Sequence, residues 1–468
     1  MSTRRKTFRL IAAVLALGFV LIGYSLWFHL ARKGEPAIYD DPETHFKYGA
    51  LGLKPGFPYY LWTVMPEVFA DLLPAPGGWE VFGMIEEGRG YPVGFAKQTV
   101  GFPGLSPNCA LCHTGRYRTS ETSEPVTVPG GPAGALDFQA FNDFVFAAAK
   151  DPRFRSDVLM PAITERFELS FSERLVYRYV LLPTVGKTLQ KQAEGSAWLD
   201  SRPPSGHGRF DAFNLFKITV LGLDDDGTTG ASDYPPLWHQ GAREGQYLHW
   251  NGSGNQLRED NLMSVYPLNQ GPSGFLEASF DRVVAYLRDV PPAAFPFAVD
   301  VEAAARGRVT YDAQCASCHA FDGDRVGQVT AQSEVGTDPE FLEMWSVAFV
   351  DALEAIDSPP FRFPSLRRTD GYLNVPLDGA WMRAPYLHNG SVPSLRALLS
   401  PVAERPATFH RGSEIYDPEA MGFRSSTGGA GTSLYDVSLR GNSNAGHTYG
   451  VDLTDEAKHD LLEFLKTL

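Results

Sequence analysis

The chain has 468 residues and a formal net charge of -14, which argues against a nucleic-acid partner. Its length is sufficient for two or three domains that need no disulfide bond to form a core. The 46 glycines and 35 prolines follow no period, so the composition excludes a fibrous chain and indicates a loop-rich globular protein.

The N-terminal residues predict a membrane anchor. The run from Leu10 to Leu30 is almost entirely apolar and, at ~1.5 Å per residue, can cross a bilayer core of ~30 Å. Basic residues precede it, which predicts a cytoplasmic tail over residues 1–9. A cleaved signal peptide is the alternative, but no pair of small residues follows the apolar run. We therefore predict a single-pass signal anchor in the inner membrane at residues 10–30, with the rest of the chain in the periplasm.

Residues 31–97 are rich in glycine, proline and aromatic side chains, most densely between Gly56 and Trp62. No regular hydrophobic period typical of a helix or a strand emerges there. We predict a loop-rich segment with short helices that packs against the domain following it.

A Cys-x-x-Cys-His motif occurs twice, at residues 109–113 and 315–319, and uses all 4 cysteines of the chain. Both thiols of such a motif can add to the two vinyl groups of a haem, and the adjacent histidine then reaches the iron. A redox-active cysteine pair or half of a zinc site is the alternative, but neither requires the histidine at the same offset in both motifs. The motifs therefore predict two covalently bound haem c groups. The attachment residues are Cys109, Cys112, Cys315 and Cys318, and the proximal iron ligands are His113 and His319.

Helical patterns place a domain boundary between the two motifs. Apolar residues at helical spacing over residues 275–290 predict a helix that the following Pro-Pro pair ends. A helix over residues 301–311 leads towards Cys315, and Thr454 is the predicted N-cap of the last helix. We therefore predict a mainly α fold of two tandem cytochrome c-like haem domains with long loop insertions, preceded by one N-terminal transmembrane helix. The two domains cover residues 98–290 and 301–468, and residues 291–300 form the linker.

The far side of each haem iron decides between electron transfer and chemistry, because an iron with two protein ligands has no free position for oxygen or peroxide. His447 lies in the loop ahead of the last helix, where cytochrome c folds supply the distal ligand, so we predict that it ligates the second haem. No histidine lies in the matching place between Asn261 and Glu277. The first haem is therefore predicted to be five-coordinate and the place of chemistry, with His207 and His249 as alternative ligands.

Longer stretches of the chain resemble a known family. They are residues 208–214, 248–252, 335–339, 381–395 and 441–450. Together with the two Cys-x-x-Cys-His motifs, they resemble the bacterial di-haem cytochrome c peroxidase superfamily, and most closely its rubber-oxygenase-like branch of exported di-haem cytochromes. The resemblance extends over nearly everything after Phe46.

The resemblance implies roles for further residues. In that superfamily the tryptophan matching Trp250 lies between the two haems and carries electrons, for which an indole is suited. If the first haem binds oxygen, an apolar pocket is expected, and Tyr266 and Phe275 are candidates to line it. An ordinary place in the core is the alternative for these three aromatic residues. The superfamily also holds calcium between its domains, partly through backbone oxygens matching residues 383–385, but Arg383 stands where the peroxidases usually have threonine.

Two departures from the superfamily favour oxygen chemistry over peroxide reduction. Its peroxidases carry a proton-handling glutamate about twenty residues after the tryptophan, where this chain has Gln270 and no acid before Glu277. An amide cannot shuttle that proton. The peroxidases also commonly take a methionine ligand downstream of the histidine matching His388, and that position is Val402 here.

Three functions remain open from the sequence. The leading one is an exported, membrane-anchored di-haem oxidoreductase, with oxygen or peroxide chemistry at the first haem and an electron relay at the second. A cytochrome c peroxidase and a non-enzymatic membrane-bound electron carrier are the alternatives. The expected partners are the membrane, a small redox protein, and a small-molecule oxidant or an apolar substrate.

Overall fold

The computed structural model of the protein describes residues 34–468 and eight positions ahead of them, namely 8, 12, 13, 16, 18, 20, 23 and 24. Most of the predicted tail at 1–9 and of the predicted transmembrane segment at 10–30 lies outside the described residues. Within the part described, no helix is both long enough and apolar enough to span a membrane.

Helices dominate the structure, which is nevertheless mixed, with 42% helix and 12% strand. The predicted mainly α fold is therefore right about the helices and wrong to leave out the strands. The helices are α1 (Pro42–Tyr48), α2 (Tyr59–Val68), α3 (Phe138–Lys150), α4 (Ser156–Arg166), α5 (Phe171–Val176), α6 (Leu182–Gly195), α7 (Ala212–Leu215), α8 (Leu257–Leu268), α9 (Glu277–Asp289), α10 (Val301–Gln314), α11 (Ala316–His319), α12 (Gln332–Val335), α13 (Glu340–Met344), α14 (Val347–Glu354), α15 (Leu395–Leu398) and α16 (Asp455–Leu465).

The strands are short and pair locally. They are β1 (Phe57–Pro58), β2 (Phe95–Val100), β3 (Phe102–Pro107), β4 (Thr114–Tyr117), β5 (Val126–Pro129), β6 (Arg209–Phe210), β7 (Ser232–Asp233), β8 (Val329–Ala331), β9 (Gly371–Leu373), β10 (Thr408–Arg411), β11 (Tyr416–Asp417), β12 (Gly422–Phe423) and β13 (Ser433–Asp436). β1, β3 and β2 form one antiparallel sheet in that order, and the others form antiparallel pairs: β4 with β5, β6 with β7, β8 with β9, β10 with β13, and β11 with β12. Strands of two to six residues leave little room for an alternating pattern, which explains why the sequence did not predict them.

Side-chain caps begin the helices around the second motif. Asp300 Oδ1 accepts hydrogen bonds from the backbone N–H groups of Glu302 and Ala303, at 3.1 and 3.0 Å, at the start of α10. Thr454 Oγ1 accepts one from the backbone N–H of Ala457 at 3.2 Å, which confirms the predicted N-cap of α16. The helix predicted over residues 275–290 is likewise confirmed as α9.

Helices α10 and α16 cross at close range. A Cβ atom at Gly307 would collide with the backbone oxygen of Asp460, so only glycine permits this approach. Beside it, Arg306 Nε and Nη2 donate to the two carboxylate oxygens of Asp460 at 2.8 and 2.7 Å. The last helix is thereby fixed against the helix that leads into Cys315.

Two hydrophobic cores underlie the two motifs. The larger core joins residues of the 31–97 segment to helices α3, α4, α8 and α9. The smaller core is built around Trp381 and includes α16. Residues 341–366, which follow the predicted linker at 291–300, pack into the larger core with the N-terminal half. The chain after the linker therefore contributes residues to both cores. The prediction of two tandem domains did not include this contribution to the larger core.

Candidate functional site

The first motif lies on a tight turn after a strand. β3 ends at Pro107, and Asn108 Oδ1 accepts a hydrogen bond from the backbone N–H of Ala110 at 3.0 Å, which opens a single 3-10 turn over Cys109–Leu111. The backbone N–H of His113 then donates to the oxygen of Cys109 at 3.1 Å. These two hydrogen-bonded turns fix the backbone positions of both cysteines and of the histidine.

The second motif continues a long helix instead. The backbone N–H of Cys315 donates to the oxygen of Tyr311 at 2.8 Å at the end of α10, and His319 N–H donates to the oxygen of Cys315 at 3.0 Å within the short helix α11. The predicted helix into this motif is therefore confirmed. The two motifs reach similar local geometry from different supports.

The histidine that closes each motif is held in the same way. His113 Nδ1 donates to the backbone carbonyl of Pro235 at 2.8 Å, and His319 Nδ1 donates to that of Val375 at 2.7 Å. A carbonyl only accepts, so the proton lies on Nδ1 in both rings and Nε2 keeps its lone pair. Among the described residues, neither Nε2 atom has a hydrogen-bond partner. This tautomer fits the axial ligand of a haem iron.

Burial keeps the groups of the first motif neutral. It lowers the pKa of His113 to about 4, against the opposing effect of the Pro235 carbonyl. It raises the pKa of the Cys109 thiol to about 11 and that of the Cys112 thiol to about 12. A redox-active cysteine pair needs a lowered thiol pKa, and all four cysteines are free of disulfide bonds. These properties argue against the alternative of a dithiol redox pair.

His447 lies opposite the second motif, as its position before α16 led us to expect. Its ring centre is 6.1 Å from that of His319, with 45° between the planes. Two metal–nitrogen bonds of about 2 Å each, with the distances from nitrogen to ring centre added, span about 6 Å. Within the described chain His447 Nδ1 is buried without a hydrogen-bond partner. The two rings are therefore spaced to accept one metal ion between them.

A buried arginine holds the loop that carries His447. Arg405 Nη1 donates to the backbone oxygens of Asn444 and Gly446, at 2.6 and 2.9 Å. Its Nη2 donates to the oxygen of His447 at 3.2 Å and to that of Leu398 at 3.1 Å. His447 itself has a positive φ of 45°, a conformation that these bonds help to maintain. The ring position is thus set by the fold and not by a free loop.

Among the residues that the structure describes, no histidine ring contacts His113 as His447 contacts His319. The nearest aromatic ring to His113 in the described region is Tyr234, with ring centres 6.5 Å apart. Of the two alternative ligands, His207 bonds through Nδ1 to Ser433 Oγ at 3.0 Å, and His249 bonds through Nε2 to Asp260 Oδ1 at 2.9 Å. The structure brings neither of them into ring contact with His113.

Trp250 is bonded to the segment that holds the first histidine. Its indole Nε1–H donates to the backbone oxygen of Asp233 at 3.1 Å. Two residues further along, the carbonyl of Pro235 accepts from His113 Nδ1. The indole is therefore connected to the first motif through one short piece of backbone.

The same residue is bonded to the segment that holds the second histidine. The backbone oxygen of Trp250 accepts from the N–H of Leu373 at 2.8 Å. Two residues further along, the carbonyl of Val375 accepts from His319 Nδ1. Trp250 thus links the backbone supports of both motif histidines, a relation that depends on carbonyl positions and is invisible in the sequence.

The other predicted aromatic residues lie in a ring cluster. Tyr266 packs against Phe216 and Phe361, with ring centres 5.8 and 5.1 Å apart, and Phe275 packs against Phe361 at 4.7 Å. Both belong to the margin of the larger core. Their contacts are those of packed core residues, and a role in lining a pocket stays a prediction.

Arg383 occupies the segment for which calcium was considered. Its Nε and Nη2 donate to the backbone oxygen of Asp378 at 3.0 and 2.6 Å, and Nη2 also contacts the Asp378 carboxylate at 2.6 Å. In the described residues no group of three or more His, Cys, Asp or Glu side chains could hold a metal ion. The Arg383 guanidinium therefore supplies a positive charge beside Asp378, in the segment where the resemblance implied calcium.

Sequence reasoning missed a buried cluster of charges between the motifs. Arg209 and Arg411 are only 2% and 3% exposed, and their guanidinium carbons lie 5.1 and 5.5 Å from the ring centre of Tyr435. Arg411 Nη2 pairs with Asp233 Oδ1 at 2.8 Å, and a Cβ at Gly390 would collide with both side chains of that pair. The cluster fixes the segment of Asp233, whose backbone oxygen receives the Trp250 indole. Only the Gly-Arg-Phe-Asp motif at 208–211 hinted at it.

Comparison with known proteins agrees with a haem protein. The family described as "RoxA-like, cytochrome c-like" matches residues 371–410, which include Val375 and His388. This match supports a cytochrome c-like, haem-dependent redox protein. The number of haems and membership of the peroxidase superfamily stay predictions.

Two relatives and one solved structure are also similar. The uncharacterized protein y4iM of Sinorhizobium fredii is 30% identical over 283 residues, which is 50% of this chain and 64% of that protein. The uncharacterized protein y4iJ of the same organism is 25% identical over 83% of this chain and 84% of its own length. A xenon-pressurized hydrazine synthase of Kuenenia stuttgartiensis aligns at 15% identity over 53% of this chain and 75% of its own, with a TM-score of 0.27, too low to assign a fold. The aligned region thus spans less than two thirds of the first relative.

Proposed function

We propose that this protein is a di-haem c-type oxidoreductase with unequal sites. Cys109 and Cys112 would hold the first haem, which would supply a place for the oxidant, and Cys315 and Cys318 would hold the second, which would supply electron transfer. The observation that carries the proposal is the double connection of Trp250 to the supports of both motif histidines. Electron transfer between the two sites requires a connection of this kind.

The roles of the chain's own residues follow from their contacts. His113 and His319 present Nε2 to the iron because a carbonyl holds the proton on Nδ1. His447, held by Arg405, closes the second site from the opposite side. A bound haem supplies one-electron redox chemistry and, where its sixth position is free, a place for oxygen or peroxide. Trp250 carries electrons between the sites, and Tyr266 lies beside the expected substrate pocket.

The proposal includes export and anchoring. Covalent haem attachment and the apolar run at residues 10–30 both support a protein anchored in the inner membrane with its haem sites in the periplasm. A small redox protein delivers electrons to the second site. The substrate is a small-molecule oxidant, with or without an apolar co-substrate at the first site.

Spectroscopy of the purified holoprotein tests this proposal. Electron paramagnetic resonance and optical spectra are expected to show one low-spin haem and one haem that is high-spin or oxygen-bound. Carbon monoxide should bind the reduced protein at one haem. Two low-spin haems in every redox state, with no carbon monoxide binding, would show an electron carrier instead. Oxygen-uptake assays with alkenes, fatty acids and polyisoprene then address the co-substrate.

Peroxide reduction is the second candidate, and the His249–Asp260 pair favours it. Gln270 cannot move a proton, but a buried imidazole and carboxylate can. Steady-state turnover of reduced cytochrome c with hydrogen peroxide decides between the two candidates. If only the acid at position 270 is missing, Gln270→Glu should raise the rate. A rate unchanged by that substitution would mean that the proton has another route.

A further inference from the structure

A surface segment that the proposed reaction does not use exposes aromatic side chains. It consists of helix α5 and the wider helical turn that continues it over Tyr177–Leu181. Phe171 is 76% exposed, Tyr179 67% and Val180 37%. Single exposed apolar residues are common on soluble proteins, but several on one short segment mark a surface that a partner covers. Residues 171–180 are called the aromatic segment below.

The aromatic segment also carries arginines that no carboxylate neutralises. Arg174 and Arg178 are exposed, and within the part of the chain that the structure describes neither forms an ion pair. The Arg178 guanidinium carbon lies 5.8 Å from the ring centre of Tyr179. Glu173, the one acid of the segment, is already engaged, because it accepts from the backbone N–H and from Oγ of Ser170 at 2.8 and 2.7 Å. The segment is therefore locally basic on a chain whose net charge is -14.

Ring stacking fixes the aromatic segment against helix α2. The Tyr60 ring stacks on that of Tyr177 at 5.4 Å and on that of Phe167 at 4.3 Å between ring centres. Phe167 also packs against Tyr59 at 5.8 Å. These contacts join the aromatic segment to the N-terminal residues 31–97, to which α2 belongs.

Further contacts lead from α2 to the place where the described chain becomes continuous. Lys97 Nζ lies 3.4 Å from the centre of the Tyr59 ring. Two residues further along strand β2, a Cβ atom at Gly34 would collide with the backbone oxygen of Thr99. Gly34 is therefore connected to the aromatic segment through β2 and α2.

The predicted anchor ends close to Gly34 in the sequence. Four residue steps separate Leu30 from Gly34, and an extended chain covers at most ~3.6 Å per residue, or ~14 Å in all. If residues 10–30 span the bilayer, Gly34 must lie within about that distance of the end of the anchor. The side of the protein around Gly34 then faces the membrane.

We propose that the aromatic segment is a second membrane contact. Phe171 and Tyr179 enter the interface of an anionic bilayer, and Arg174 and Arg178 bind its phosphate headgroups. This rests on the anchoring in the proposed function. Aromatic rings favour the headgroup level of a bilayer, and arginine binds phosphate through parallel hydrogen bonds while its apolar stem lies against the lipid. A lipid surface is the occupant that fits both the charge of the segment and its connection to Gly34.

The contact gives the two motifs different distances from the bilayer. Tyr177 of the aromatic segment belongs to the larger core, against which Cys109 and Cys112 also pack. The second motif packs instead against the smaller core, through Cys315. The half of the protein that carries the first motif is thereby held towards the lipid, where an apolar co-substrate is concentrated.

Fluorescence quenching in the full holoprotein tests the contact. The protein is reconstituted through its own N-terminus into vesicles of equal parts phosphatidylcholine and phosphatidylglycerol, with a bimane label on Phe171→Cys. A nitroxide attached to the lipid acyl chains should quench this label several-fold, whereas iodide in the water should quench it little. Val309→Cys, at a 70% exposed position of α10, is the matched control and should show the reverse.

The arginines provide an independent measurement. With the label on Tyr179→Cys, quenching by the lipid nitroxide should fall when the vesicles contain phosphatidylcholine alone. It should fall equally in phosphatidylglycerol vesicles when Arg174→Gln and Arg178→Gln are combined. Arg308→Gln, at an exposed position of α10, should leave the quenching unchanged.

The outcomes separate the membrane contact from the anchor and from the redox sites. Labels at positions 171 and 179 that stay open to iodide, in a protein that resists extraction by alkaline carbonate, would overturn the contact and leave the anchor intact. Release of the protein by carbonate would overturn both. The spectra that test the two-site proposal depend on neither result, so failure of the contact and failure of that proposal remain distinguishable.

Discussion

The two Cys-x-x-Cys-His motifs hold their histidines in the same way but differ in what lies opposite those histidines. In both, a backbone carbonyl holds the histidine proton on Nδ1 and leaves Nε2 free. The second motif follows a long helix, and the His447 ring lies 6.1 Å across from its histidine. The first motif follows a strand and a tight turn, and in the described part of the chain the ring in contact with its histidine is that of Tyr234. Identical motifs can therefore stand in different surroundings, because among the described residues a second histidine ring lies opposite only one of them.

Replacing His447 should produce the largest effect, because it removes the ring that distinguishes the second motif from the first. His447→Ala removes the ring opposite His319, so the second haem should change completely from low to high spin while the first keeps its spectrum. Added imidazole should restore the low-spin signal. Electron paramagnetic resonance of the holoprotein is the measurement. His459→Ala, at an exposed position of α16, is the control, and a spectrum unaltered by His447→Ala would refute the assignment.

A substitution at Gly390 tests whether the region between the motifs is rigid. Gly390→Ala places a methyl group against Arg411 and Asp233 at a φ of 62°, so we expect a loss of at least about 1–3 kcal/mol of unfolding free energy. Urea unfolding of the holoprotein measures it. Gly222→Ala is the control, because Gly222 has a φ of 71° with open space around it. Equal losses of unfolding free energy in both variants would mean that the Arg411 and Asp233 side chains move aside at little cost.

The link through Trp250 predicts a smaller, kinetic effect. Trp250→Phe keeps an aromatic ring but deletes the N–H that bonds to the backbone oxygen of Asp233. Electron transfer between the haems, followed after a rapid laser-triggered reduction, should slow because phenylalanine is harder to oxidise than an indole and loses this connection. Trp345→Phe removes a buried indole N–H that has no partner in the described part, and should have little effect.

His388, in the segment that follows the second motif, predicts a modest pH effect on stability. Its burial, and then the charge of Arg209, lower its pKa to about 3, so the folded state leaves it neutral while the unfolded state protonates it below pH ~6.5. Unfolding free energy should therefore decrease as pH falls from ~6.5 towards ~3, by at most ~1.4 kcal/mol per pH unit from this group. His388→Gln should make that slope shallower. His459→Gln, at an exposed position of α16, should not.

Local signals predicted the parts of the fold that depend on neighbouring residues. The helix into Cys315, the cap at Thr454 and the helix over 277–289 each rest on side chains within one or two turns. His447 was found by its place ahead of the last helix. In each case a short stretch contains the physical cause, so the sequence is enough.

Contacts between residues far apart in the chain could not be predicted from the sequence. The Arg209–Asn442 bond joins residues 233 positions apart, and the acceptors Pro235 and Val375 act through backbone oxygens, which any residue type could supply. The His249–Asp260 pair needed the course of the loop and the start of α8 to be known. Strands of two to six residues have too few positions for a period to register.

The packing of residues 341–366 into the larger core has a consequence for the order of assembly. A chain made from its N-terminus exposes Cys109 more than two hundred residues before this segment exists. Until then the core around the first motif lacks Phe341, Trp345 and Phe349, all of which are buried in the finished protein. The core around the first motif is therefore completed only after residues 341–366 have been made, which separates the two events by most of the length of the chain between them.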